Sequence, residues 1–221
     1  MAESRTRPGV PHRRPGRACE SIARVKGRAL LLALYFRPYP LAIYGLSMWL
    51  PTIIKGFGMS NLTTGFLSAI PYVFAVAGLL TVPRHSDKTD ERLVHIACSV
   101  LLSAAGLFVS TAAQLPVVQL GALCFTAFGL YAAQPIFWTL PCRFLAGPAA
   151  AAGITLINSI GNLGGYIGPF AVGAIKQHTG NLADGLYLLA SGVFVLAVLL
   201  TIVVKVMIEP RSGLGGNPLT E

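Results

Sequence analysis

"NSIGNLGGYIGP", residues 158–169, lies within one of the most apolar stretches of the chain. Two asparagines, a serine, a tyrosine, four glycines and a proline interrupt it. Wound on a helix at about 100° per residue, the stretch sorts into three faces. Asn158, Ser159, Asn162 and Tyr166, with Thr155 one turn earlier, share a polar arc. Gly161, Gly164, Gly165 and Gly168 occupy a smooth arc beside it, and Ile160, Leu163 and Ile167 fill the greasy remainder. The smooth face holds two overlapping G-x-x-x-G pairs, which let a neighbouring helix approach closely. The polar face cannot meet hydrocarbon, where unsatisfied amides are expensive. It is expected to face another helix or a water-filled cavity. Pro169 removes one backbone hydrogen bond and offers a bend at the end of the stretch.

The composition around this stretch asks for a membrane. Of 221 residues, 54% are hydrophobic and 11% charged, well under the roughly 25% charged residues of a soluble domain. All eight acids lie in tails or short connections, and eight of the 17 lysines and arginines lie in the first 28 residues. Placed this way, the net charge of +9 argues for a basic cytoplasmic tail rather than for nucleic-acid binding. Cys19, Cys98, Cys124 and Cys142 have no metal-ligand spacing and read as free thiols. His12, His85, His95 and His178 are scattered, and no nucleophile–base pair or phosphate loop suggests an enzyme or a cofactor. A basic start before the apolar residues 29–36 resembles a secretory leader, but the run breaks at Arg37 and no cleavage pattern follows, so cleavage is not expected.

A spanning helix needs about 20 mostly apolar residues. Six runs qualify: 29–54, 62–82, 93–112, 116–140, 149–174 and 186–207, between a disordered basic tail (1–28) and a C-terminal tail (208–221). Fourteen lysines and arginines fall on the side of both termini and two on the other, with Arg37 inside the first run. Both ends are therefore expected in the cytoplasm of a multi-pass protein. Arg37, in "FRPYP", reads either as an interfacial arginine or as a functional intramembrane charge. The joint 83–92 mixes Arg84, Asp87, Lys88, Asp90, Glu91 and Arg92; such a set at a helix mouth either is a solvated turn or forms a network that opens and closes with helix movement.

Other runs carry polar stripes like that of the fifth. In the fourth, Tyr131, Gln134 and Trp138 share an arc beside the breaks at Pro135 and Pro141. In the second, Thr64, Ser68 and Tyr72 recur at i, i+4 and i+8; in the first, Tyr44, Ser47 and Met48 share a side with Pro51. The third and sixth lack such stripes. Four striped helices mark a path for a small polar solute, lined by hydroxyls, amides and aromatic rims.

The stretches "YGLSMWLPTIIKGFG" (44–58), "RHSDKTDER" (84–92) and "FWTLPCRFLAGPAAAAGITLINSIGNLGGYIGP" (137–169) resemble the C-terminal six-helix half of a major facilitator superfamily transporter. Within it they are most similar to the anion:cation symporter group, the bacterial tartrate, phthalate and hydroxyphenylacetate type permeases. The resemblance covers roughly residues 29–207. It implies an all-α integral membrane fold, six transmembrane helices forming half of a twelve-helix assembly built from inverted three-helix repeats, in the bacterial inner membrane. It also implies proton-coupled symport of a small organic anion, a carboxylate, by alternating access, with no cofactor or metal. Trp138 and Asn158 match the family's substrate-contacting tryptophan and asparagine. Tyr44, Ser47, Tyr72, Gln134 and Asn162 join them as candidate substrate contacts on the striped faces. Asp87, Lys88 and Arg92 match the charged positions of the family's loop motif, whose usual glycines are replaced by Pro83 and Asp90.

No acid lies in any span, so the proton carrier and anion-binding arginines are expected in an N-terminal half, or the cavity is completed by a dimer partner. The alternative is a half-length membrane interaction protein, or a non-functional transporter fragment, that associates through the glycine face.

Overall fold

The computed structural model describes residues 38–144 and 148–208. The basic tail, the start of the first run with Arg37, and the C-terminal tail lie outside the described residues. Six helices follow in order: α1 (Pro38–Lys55), α2 (Asn61–Thr89), α3 (Arg92–Ala112), α4 (Pro116–Phe144), α5 (Pro148–Thr179) and α6 (Leu182–Ile208). There is no strand among the described residues.

The joints have local causes. Gly58, at φ 77°, turns the chain out of α1, a conformation that costs glycine little. Lys55 Nζ then bridges the joint, donating to Asn61 Oδ1 at 2.6 Å and to the Met59 carbonyl at 3.0 Å. Ser60 caps α2 by accepting from the Thr63 amide. Gly180 turns the chain between α5 and α6 at φ 74°, and the Asn181 side chain caps α6 through the Ala183 amide at 3.0 Å.

The joint expected over 83–92 is much shorter than its polarity suggests. α2 continues through Pro83 to Thr89, and the break is confined to Asp90 and Glu91, with Asp90 left-handed at φ 52°. Aspartate tolerates that region better than most residues. Similarly, α4 outruns its apolar run by four residues and α5 by five. Hydropathy marks where a helix suits hydrocarbon, whereas backbone hydrogen bonding carries the helix on into water.

By length and composition, four described helices can cross a membrane: α2, α3, α4 over Pro116–Cys142, and α6 over Leu182–Leu199. α1 and α5 fall outside that group. They are the helices diluted by prolines, glycines and asparagines, and their polar faces need shelter from lipid.

Packing is interleaved. The largest contacts join α3 with α4, α2 with α4, α1 with α5 and α3 with α6, whereas α1–α2, α2–α3 and α4–α5 barely touch. Each triplet thus packs mainly against the other. The α2–α4 and α1–α5 pairings exchange when the first three helices are swapped for the last three, the pattern that two inverted three-helix repeats produce. The core is built from Leu50 and Ile54 of α1, Ile96, Val100 and Leu107 of α3, Leu123 and Leu130 of α4, Ile157 and Val172 of α5, and Leu189, Val193 and Leu196 of α6. α2 contributes only small residues, among them Ala75 and Gly78. Its outer face shows Leu62, Phe66 and Val73, each at least two-thirds exposed, as suits a helix bathed in lipid.

Candidate substrate cavity

Close helix approach is what leaves room for a cavity beside it. A Cβ on Gly165 would stand 2.5 Å from Tyr44 Cδ2, and one on Gly168 would overlap the Leu41 carbonyl, so α5 lies directly against α1. Gly161 and Gly164 are buried as well. Further along, Trp49 Nε1 donates to the Pro169 carbonyl at 3.3 Å, and the Lys176 ammonium sits 5.1 Å from the Trp49 ring centroid. With its glycine face on α1, α5 presents its amide arc to the neighbouring gap.

That gap is an open cavity of about 440 Å³. α1 supplies Tyr39, Pro40, Ile43, Tyr44 and Ser47; α4 supplies Tyr131, Gln134 and Trp138; α5 supplies Asn158 and Asn162. Six of the seven residues singled out in the sequence therefore line one space. The seventh, Tyr72, does not. Its ring stands edge-on to Tyr131, with the centroids 6.4 Å apart. The rest of its stripe turns inward on α2: the Thr64 hydroxyl donates to the Ser60 carbonyl and that of Ser68 to the Thr64 carbonyl. Periodicity alone cannot distinguish a hydroxyl offered to a ligand from one returned to its own helix.

Asn158 and Asn162 are exposed to the cavity and joined to each other, Asn162 Nδ2 donating to Asn158 Oδ1 at 3.3 Å. The pairing leaves donors and acceptors on both amides for a ligand. The Tyr131 phenol lies beside Ser47, with Tyr44 and Tyr72 near it, and Trp138 lies edge-on to Phe137 at 5.5 Å. None of the lining residues is charged. This wall offers hydrogen bonds and aromatic faces, and no ion pair.

Tyr39, Pro40, Ile43 and Tyr131 were not among the site residues read from the sequence. Tyr131 was visible on the α4 stripe. Tyr39 carried a signal only in hindsight, a tyrosine between two prolines at 38 and 40.

The loop-motif residues lie apart from the cavity, at the α2–α3 hairpin. Arg92 Nη2 stands 3.3 Å from Asp87 Oδ1, and Arg92 Nε 3.7 Å from Asp90 Oδ1. Lys88 takes no part in either pair. His85 and His95, ten residues apart in the sequence, meet ring to ring across this hairpin at 5.2 Å.

The family model of the Major Facilitator Superfamily matches residues 3–169. The chain belongs to that superfamily. This places it among transporter proteins rather than enzymes, with six helices in the arrangement of half the superfamily's fold. Among curated relatives, a quinolone resistance transporter of Acinetobacter baumannii is 52% identical over 84% of this chain and 43% of its own length. A putative tartrate transporter of Agrobacterium vitis is 46% identical over 84% of this chain and 42% of its own. The inner membrane transport protein RhmT of Escherichia coli is 39% identical over 65% of this chain and 34% of its own. The chain thus spans roughly two fifths of the length of the first two of these relatives.

Proposed function

We propose that this chain supplies the polar and aromatic wall of the substrate cavity in a proton-coupled symporter for a small organic carboxylate. The observation that carries the reading is the convergence of Ser47, Gln134, Trp138, Asn158 and Asn162, from three helices, on one cavity. Gathering amides and hydroxyls at one opening between apolar helices has no packing benefit unless something polar enters. With no charge on this wall, the arginine that would hold the carboxylate and the acid that would carry the proton belong to the opposing wall. That wall is supplied by an N-terminal six-helix half or, geometrically, by a second copy. The charge asymmetry of the sequence supports cytoplasmic termini in a bacterial inner membrane, and rocking of the two halves gives alternating access.

A second substrate class is favoured by the rings of Tyr39, Tyr44, Tyr131 and Trp138 around the cavity and by the name of the 52%-identical relative: an aromatic, quinolone-like compound. Both readings use the same wall. The test is uptake and efflux by a chimera that joins this chain to the part of that relative it does not match. Uptake of a labelled tartrate or aromatic acid, dissipated by an uncoupler, supports symport; quinolone efflux alone supports the second class. Neither activity, in a chimera that reaches the membrane, leaves the interaction-protein alternative. Asn158→Ala should lower uptake at least tenfold at unchanged membrane abundance, and normal kinetics would remove Asn158 from the site.

A further inference from the structure

Two prolines interrupt two walls of the cavity at matched positions. Pro51 lies four residues after Ser47 on α1, and Pro135 four residues after Tyr131 on α4. A proline at that offset leaves the carbonyl of the earlier residue without its usual amide donor and bends the helix there. Ser47 and Tyr131 both line the cavity and face each other. The walls are therefore softest at one level, where they meet the ligand.

Tyr39 crosses that gap. Only 5% of it is exposed, and its hydroxyl donates to the carbonyl of Leu130, the residue just before Tyr131. Leu130 is itself fully buried. The bond ties α1 to α4 on the N-terminal side of Pro135, one residue from the carbonyl that Pro135 leaves without its usual donor. A buried phenol would cost more unpaired than paired, so the contact is maintained as long as the two helices hold this spacing.

We propose that Tyr39 is a positioning residue for the cavity: its hydroxyl sets the separation of the α1 and α4 walls and so the placement of Tyr131 and Gln134 against Ser47 and Tyr44. The transport consequence rests on the function proposed above, while the spacing itself does not. In the chimera, Tyr39→Phe keeps the buried ring and removes the hydroxyl that bonds Leu130. The Michaelis constant for uptake should rise about fivefold, with the maximal rate per molecule in the membrane changing less than twofold. A merely structural tyrosine would lower abundance and leave the Michaelis constant alone. Because Pro135→Ala restores a backbone donor to Tyr131, the two substitutions should be non-additive in a double-mutant cycle. Additivity overturns the proposal, as does an unchanged Michaelis constant.

A second measurement needs no transport. Spin labels at Met48→Cys on α1 and Phe125→Cys on α4, both exposed positions, are placed in the full chain with its native cysteines replaced. Their distance distribution in membranes should broaden on Tyr39→Phe. A chimera without uptake would sink the proposed function, and the spin labels would still decide on Tyr39; an unaltered distribution refutes the positioning role.

Discussion

Two helix pairs in this protein approach equally closely and for the same reason, yet they end differently. In the α3–α4 pair, a Cβ on Gly106 would overlap Thr126, and one on Gly129 would overlap the Ser99 carbonyl. In the α1–α5 pair, Gly165 lies under Tyr44 and Gly168 on Leu41. The difference lies in where the polar atoms go. Along α3–α4, the Ser103 hydroxyl donates to the Ser99 carbonyl and that of Thr126 to the Ala122 carbonyl, all buried. Along α1–α5 the amides of Asn158 and Asn162 pair, among the described residues, with each other and remain exposed. The first seam is closed chemistry and holds the fold. The second keeps hydrogen-bonding capacity in reserve, which is what a binding wall requires.

Substitution by alanine at one glycine of each seam tests the contrast most directly. Gly129→Ala should cost about 3 kcal/mol, the upper range for overpacking a core. The added methyl meets the Ser99 carbonyl and the Ser103 hydroxyl, and backbone yields poorly. Thermal unfolding in detergent should show a much lower midpoint, with little folded protein in the membrane. Gly121→Ala is the control: nothing lies within 4 Å of its Cβ position, and the same measurement should barely move.

Gly165→Ala should separate stability from function in the other seam. Its methyl would press on the Tyr44 ring, half of whose surface is exposed. The ring can rotate away, so the unfolding midpoint should fall by less than about 1 kcal/mol equivalent. Tyr44 also lines the cavity, and its displacement should raise the Michaelis constant for uptake several-fold. A stability loss as large as that of Gly129→Ala would erase the distinction between the seams.

Much of this architecture was legible in the sequence because membranes enforce simple rules. Apolar runs located all six helices, and glycine and asparagine arcs on residues 158–169 separated the face that lies on α1 from the face that looks into the cavity. What escaped had two causes. Thr64 and Ser68 read as part of a path-marking stripe because a stripe of hydroxyls does not reveal its acceptor; each donates to a carbonyl one turn back on its own helix. Tyr39 and the His85–His95 pair depend on which helices are neighbours, and hydropathy is silent about that. The four-residue overrun of α4 past its apolar run is similar: helix hydrogen bonding does not stop at the membrane edge.

The charged α2–α3 hairpin is a third kind of region, polar like the cavity but paired within itself through Arg92, Asp87 and Asp90. Its ion pairs should therefore matter least to stability. Asp87 and Asp90 are largely exposed and Arg92 is about one-fifth exposed. Pairs of this kind typically contribute 0–1 kcal/mol, because solvent screens the attraction and ordering two long side chains costs entropy. Arg92→Gln should shift the unfolding midpoint by less than the Gly165→Ala change, and added salt should narrow the gap to the unsubstituted protein. The informative readout is uptake. If the hairpin were only a solvated turn, uptake would follow abundance. A fall in maximal rate at constant abundance and Michaelis constant would instead assign Arg92 to the conformational step, since a residue remote from the cavity can change how often the walls exchange access without changing how they hold the ligand.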